Sequence, residues 1–227
     1  MTLARAIVAE GRGTAGLLTA IVGSGIMAER LSGGNAAIAL LANRTATGCA
    51  LYVLIATFER ISGAHFNPVV TLLAAVRREL APGAALAYVG MQIVGAAGGV
   101  ALAHAMFELP WLQVAVRPRA GAGQWTGEIV ATAGLVLVLL LARPAHARAI
   151  PALIAAYIAA AYWFTSSTSF ANPAVTLARA LTDTFTGIRP ADVPGFIGGQ
   201  LVGALARVVL AGWLERKPDA PRPESGA

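Results

Sequence analysis

The sequence predicts an all-α membrane protein: six transmembrane helices and two re-entrant half-helices, arranged as two inverted repeats. Three observations predict it. The 227 residues are 57% hydrophobic and 12% charged, about half the charge of a soluble domain of this size. Apolar stretches recur along the whole chain with short turns between them. One short segment also occurs twice, as "HFNPVVTLLAA" from His65 to Ala75 and as "SFANPAVTLARAL" from Ser169 to Leu181.

The apolar stretches fall at 13–28, 36–58, 82–107, 129–142, 149–164 and 192–214. A hydrocarbon core about 30 Å thick asks for about 20 residues of helix, so several of these reach full length only with a flanking Glu or Arg at the boundary. The first stretch has no small-x-small cleavage site after Met27 and is followed by five more, so it is expected to be retained as a span and not removed as a signal. The second leads into "ISGAHFNPVVTLLAAV", a Gly-containing loop, an Asn before a Pro, and about nine apolar residues before Arg77. Asn is a favoured N-cap, and Pro is accommodated at the first helical position because its missing N–H would be unbonded there. Asn67-Pro68-Val69 and Asn172-Pro173-Ala174 therefore both read as the starts of helices too short to span. The third, fourth, fifth and sixth stretches complete the spans, with the longest external loop at about Glu108 to Gln124.

Two further landmarks repeat in the same order as the Asn-Pro segments. "EGRGTAGL" at Glu10 matches "EIVATAGL" at Glu128, and "QIVGA" at Gln92 matches "QLVGA" at Gln200. Repeat one covers about 1–107 and repeat two about 125–217 of a single domain over 1–217, followed by a polar, Pro-rich, disordered cytoplasmic tail at 218–227. Three spans per half is an odd number, so the second half enters the membrane from the opposite face. The two half-helices then meet near the midplane with their N-termini facing, each carrying roughly half a positive charge that repels cations. The Asn67 and Asn172 amides, turned inward, could donate N–H groups to a passing hydroxyl or water.

The net charge of +6 comes from arginines standing singly or in pairs at span ends, with no basic run interleaved with aromatics, so no nucleic-acid partner is expected. Arg5, Arg77, Arg78, Arg143, Arg148, Arg216 and Lys217 fall on one side of the six-span frame, and Arg30, Arg117, Arg119 and Arg189 on the other. That excess puts both termini in the cytoplasm. Cys49, the single cysteine, reads as a small core residue, and His104 and His146 as solvated at a span end and in a loop. No His, Cys and carboxylate set has metal-ligand spacing, and no triad or phosphate-binding glycine pattern appears, so neither a cofactor nor an enzyme activity is expected.

With its paired Asn-Pro segments and its matched Glu and Gln positions, the chain resembles the aquaporin and aquaglyceroporin (major intrinsic protein) family from Glu10 to the last span. The resemblance implies a channel for water and small neutral solutes, a homotetramer with one pore per subunit, and a central constriction at the two Asn-Pro motifs. It implies that Glu10 and Glu128 hold the re-entrant loops by accepting backbone N–H bonds, with Gln92 and Gln200 as further ties, although an intramembrane carboxylate by itself also suggests a proton relay. Carried over by alignment, the outer filter falls on Thr47, Ala160, Ser169 and Val175. Ala160 is placed only by counting back from Asn172, and a bulge would substitute Tyr157.

Most family members follow the second Asn-Pro-Ala with an arginine, and here that residue is Val175, which leaves space and offers no donor. The segment from Ala160 to Leu181 is similar to a bacterial branch associated with arsenic resistance, which implies arsenous acid, glycerol-like polyols and water as permeants in a bacterial inner membrane. Arg179, four residues beyond Val175, is placed at the outer vestibule, or reaches a headgroup or loop carbonyl. His65 lines the inner half, as a donor or pH gate or as a structural histidine. Two readings from other classes stay open, a secondary transporter built on inverted repeats and a non-conducting structural membrane protein.

Overall fold

A computed structural model of the chain describes residues 2–142 and 147–214. Eight α-helices follow in order: α1 Leu3–Leu31, α2 Ala36–Ser62, α3 Pro68–Val76, α4 Pro82–Met106, α5 Ala122–Ala142, α6 Ile150–Phe164, α7 Pro173–Arg179 and α8 Val193–Leu214. Short 3-10 turns, Ala147–Ala149 and Pro190–Asp192, precede α6 and α8. The described residues contain no strand. His146, Arg143, Arg216, Lys217 and the tail at 218–227 lie outside the described residues.

Helices α2, α3 and α7 each begin at an asparagine whose side chain caps them. Asn35 accepts from Ala37 N and Ile38 N at 3.0 and 3.2 Å to start α2, and Gly63 ends it with φ +86°. Asn67 accepts from Val69 N at 2.9 Å, and Asn172 from Ala174 N and Val175 N at 3.0 and 3.3 Å, each followed by its proline in the first turn. With 9 residues in α3 and 7 in α7 the two helices are about 14 and 10 Å long, well short of a span. By length and composition α2, α4, α5 and α8 can each cross a membrane. Helix α6, at 15 residues, is apolar but shorter.

Helix α1 begins near residue 3, where the apolar stretch had placed it at 13, and α5 begins at Ala122 instead of 129. Arg5 and Arg12 interrupt the hydropathy of α1 but not its backbone hydrogen bonds, and both side chains are exposed. Two other readings are corrected. Cys49 is exposed on α2 and does not pack in the core. His104 is fully buried, with Nδ1 3.0 Å from the Trp111 carbonyl and Nε2 2.7 Å from Thr182 Oγ1, which ties the end of α4 to the loops that follow α4 and α7. Its polar partners come from loops distant in sequence, so the span-end position alone could not indicate burial.

The halves pack alike. Helix α1 lies against α2 and α4, and α5 against α6 and α8. At each crossing a glycine lets two backbones touch: a Cβ on Gly95 would stand 2.2 Å from the Gly11 carbonyl oxygen, and one on Gly203 would stand 2.3 Å from that of Ile129. Helix α3 packs on α4 and α8, and α7 on α4, α8 and α1, so each half-helix is wedged between spanning helices of both halves. One apolar core runs through both halves, including Leu18, Val22, Phe66, Val69, Val100, Val136 and Ala174.

Candidate functional site

Two buried carboxylates shape the site. Glu10 Oε1 accepts from Ser62 Oγ at 2.5 Å and His65 N at 3.0 Å, while Oε2 accepts from Phe66 N at 2.7 Å and Gln92 Nε2 at 2.8 Å. Glu128 repeats the pattern, with Oε1 accepting from Phe170 N at 2.8 Å and Oε2 from Ala171 N at 2.9 Å and Gln200 Nε2 at 2.6 Å. The same glutamine nitrogens also donate to Thr71 Oγ1 at 2.9 Å and Thr176 Oγ1 at 2.8 Å, the first turns of α3 and α7. On each loop two adjacent residues thus share one carboxylate, and their N–H groups, which no helix or strand could satisfy, are paired.

The loops need that support. Ala64 and Phe66 have φ near +49°, and Thr168, Ser169 and Ala171 lie between +47° and +61°, a region costly for residues with a side chain. Alternation of this backbone with extended Asn67 and Asn172 brings the loops together end to end. The Asn67 side chain donates to the Ala171 carbonyl at 2.7 Å, and Asn172 donates to the Phe66 carbonyl at 2.8 Å. A carboxamide has two N–H bonds, so each Asn keeps a second donor while both line a shared cavity.

That cavity encloses about 180 Å3. Its wall brings together Thr47 from α2, His65, Asn67, Ser169, Asn172, Val175 and Arg179. Pro68, Val69, Pro173 and Ala174 set the half-helix starts behind it, and Val69 and Ala174 are fully buried. Thr47 Oγ1, Ser169 Oγ and Arg179 Nη1 are buried without a partner in the protein. His65 places Nδ1 3.1 Å from Thr71 Oγ1 and stacks edge-on with Tyr88, centroids 5.5 Å apart.

Helix α6 departs from the aligned register. Ile154, Ile158 and Tyr162, spaced by four, face the cavity, and Ala160, half a turn away, is exposed on the outer surface. Tyr157 does not replace it: its hydroxyl donates to the Ala131 carbonyl of α5 at 2.9 Å. Counting residues back from Asn172 assumed a fixed loop, whereas α6 ends at Phe164 and residues 165–171 follow their own irregular path.

At the end of the cavity beyond Val175, Arg179 is buried, its Nε donating to the Thr186 carbonyl and its guanidinium 3.4 Å from the centroid of the Phe170 ring. Arg119, from the loop between α4 and α5, has its guanidinium 5.1 Å from the same centroid. Its Nε donates to the Gly187 carbonyl at 2.8 Å and its backbone N–H to Asp192 Oδ2 at 2.8 Å. Burial, followed by the neighbouring charge of Arg117, lowers Arg119 to about 10, so it stays cationic at neutral pH. The sequence had offered Arg119 only as a topological charge, and no local motif separates it from Arg117.

A family model described as major intrinsic protein matches residues 1–166. Over 212 residues, 93% of this chain and 91% of the relative, the sequence is 50% identical to aquaglyceroporin AqpS of Rhizobium meliloti (strain 1021). It is 35% identical to the probable aquaporin PIP2-8 of Oryza sativa subsp. japonica over 105 residues, 46% of this chain and 37% of the relative. Among solved structures, the aquaglyceroporin from Plasmodium falciparum matches with a TM-score of 0.73 at 18% identity, covering 95% of this chain and 96% of that one, which supports the fold. The chain belongs to the major intrinsic protein family and is a membrane channel, passive and for small neutral solutes, not an enzyme.

Proposed function

We propose that the chain conducts solutes wider than water: glycerol-like polyols and neutral metalloid hydroxides such as arsenous acid, together with water. One observation carries the reading. Val175, on the cavity wall where the family usually has arginine, stands with the unpartnered hydroxyls of Thr47 and Ser169, so this position carries an apolar side chain in place of a cation and its surroundings are weakly polar. A neutral polyol or As(OH)3 could exchange its water bonds for those hydroxyls and for the second N–H groups of Asn67 and Asn172. The likeness to a protein named aquaglyceroporin supports the same substrate class.

We read the filter as Thr47, Ser169 and Val175, with Ile158 and Tyr162 both on the cavity wall where Ala160 was expected. Glu10 and Glu128 already accept backbone and glutamine N–H bonds, which favours loop bracing over proton relay and argues against a coupled transporter. We place the chain in a bacterial plasma membrane with both termini cytoplasmic, from the arginine distribution, and as a homotetramer, by analogy with the family.

Stopped-flow light scattering of proteoliposomes in inward glycerol and arsenous acid gradients tests it. Wild type should pass both non-saturably, and Val175→Arg should lower both by about tenfold or more, as expected when bulk and charge enter a pore wall. Solute entry no faster than in empty vesicles would remove the permeant assignment.

A further inference from the structure

Within the two half-helices the pseudo-symmetry breaks at one polar position. In the register that pairs Asn67 with Asn172, Val70 pairs with Val175 and Thr71 with Thr176, each identical, but Ala74 pairs with Arg179. Both Ala74 and Arg179 line the cavity. The cation at the other end of the wall, Arg77, is paired with Glu79 at 2.9 Å, whereas Arg179 is in no such ion pair among the described residues.

That cation is costly to keep. Arg179 is 2% exposed, and among the described residues neither its guanidinium nor that of Arg119 is in an ion pair. A buried guanidinium cannot shed its charge at neutral pH and is tolerated only when ring faces and carbonyls replace its water. Phe170 supplies the ring to both arginines, and the Thr186 and Gly187 carbonyls supply acceptors. Phe170 is itself fixed, since its N–H is held by Glu128 and its ring packs edge-on against Phe196 with centroids 4.9 Å apart. The brace that shapes the loop therefore also aims the charge. After these bonds, Arg179 Nη1 is left buried without a protein partner, in a residue that lines the cavity.

We propose that Arg179, seated on Phe170 and reinforced by Arg119, is the electrostatic barrier of the outer pore and the donor that a solute hydroxyl meets there, one helical turn outside Val175. The inference rests on the conducting reading above and adds the residue that sets its charge selectivity. Moving the cation one turn outward separates two tasks that a single arginine at position 175 would combine: the narrow level stays wide and weakly polar, while protons and metal cations are repelled from a level where a neutral polyol can still accept an N–H bond. Arg119, which burial lowers only to about 10, stays cationic through the physiological range and keeps the reinforcing charge in place.

The test uses full-length protein in proteoliposomes with an interior pH dye and a valinomycin-set potential. Wild type should pass protons no faster than empty vesicles although position 175 is valine, and wild-type leak well above that level would overturn the barrier. Arg179→Gln should raise proton leak by about tenfold or more, the scale on which a fixed charge alters ion entry. Glycerol flux in that variant should be reduced by the lost donor yet remain above background, and Arg179→Lys should keep leak low. Glycerol conduction by Arg179→Gln with leak at the wild-type level would overturn the assignment. Should Arg179→Gln not fold, Phe170→Leu carries the same test: raised leak supports the seat, and unchanged leak overturns it. Wild-type glycerol flux separates the two failures. If glycerol moves and leak is indifferent to Arg179, only the barrier falls, whereas if glycerol does not move, the solute reading falls.

Discussion

Asn67 and Asn172 each hold the other's loop: the Asn67 amide donates to the Ala171 carbonyl at 2.7 Å, and the Asn172 amide donates to the Phe66 carbonyl at 2.8 Å. Each side-chain oxygen meanwhile caps its own half-helix. One residue type at one position thus starts the helix, closes the pore centre and leaves an N–H toward the cavity.

Replacing Asn172 with Ala removes the cap and the cross-loop bond together, at a cost of roughly 1–3 kcal/mol. The detergent melting temperature should fall by roughly 2–12 °C. Because the two residues close one junction, the double variant Asn67→Ala/Asn172→Ala should lose less than the sum of the singles. Strict additivity would mean that the loops do not depend on each other.

Glu128→Gln keeps the shape and removes the anion. The loop N–H groups of Phe170 and Ala171 and the Gln200 amide would then face one carbonyl oxygen and one NH2 group, leaving a buried donor unpaired at about 1–3 kcal/mol. Glycerol flux and melting temperature should fall together. A variant with normal stability and altered proton coupling would point instead to the relay role.

The α6 register makes a paired prediction. Ile158→Trp should cut glycerol flux by about tenfold or more by filling the cavity wall, and Ala160→Leu, on the exposed side, should leave flux within about twofold. The reverse ranking would restore the aligned filter.

Gly95→Leu and Gly203→Leu should prevent a monodisperse peak on size exclusion, because a Cβ there already collides with a carbonyl of the facing helix. Gly98→Ala is the control, since a Cβ at Gly98 meets nothing within 4 Å. Loss of folding with Gly98→Ala would show that helix assembly tolerates no change on this face.

Much of this was legible in the sequence, because the signals were local or repeated. Asn-Pro after a glycine loop marks a half-helix start, and the family resemblance carried by the paired Glu and Gln landmarks implied loop braces, with a proton relay as the other reading of the carboxylates. What the chain concealed was relational. Hydropathy placed α1 ten residues late because Arg5 and Arg12 interrupt an apolar run without interrupting a helix. Ala160 went to the wrong face because the irregular backbone at 165–171 absorbs turns that counting cannot see. The burial of His104 and the pairing of Arg119 with Arg179 depend on loops far apart in sequence meeting over one ring.

The braces and the cross-bonds divide the molecule differently. Glu10 grips only its own half's loop and Glu128 only its own, whereas each Asn amide reaches into the other half. As the chain emerges from the ribosome, the first half can complete its loop brace before the second exists, with the Asn67 amide waiting for an acceptor not yet made. Conduction is in that sense a joint product of biogenesis: neither half holds a rudimentary channel, and the aqueous path comes into being when the second half docks.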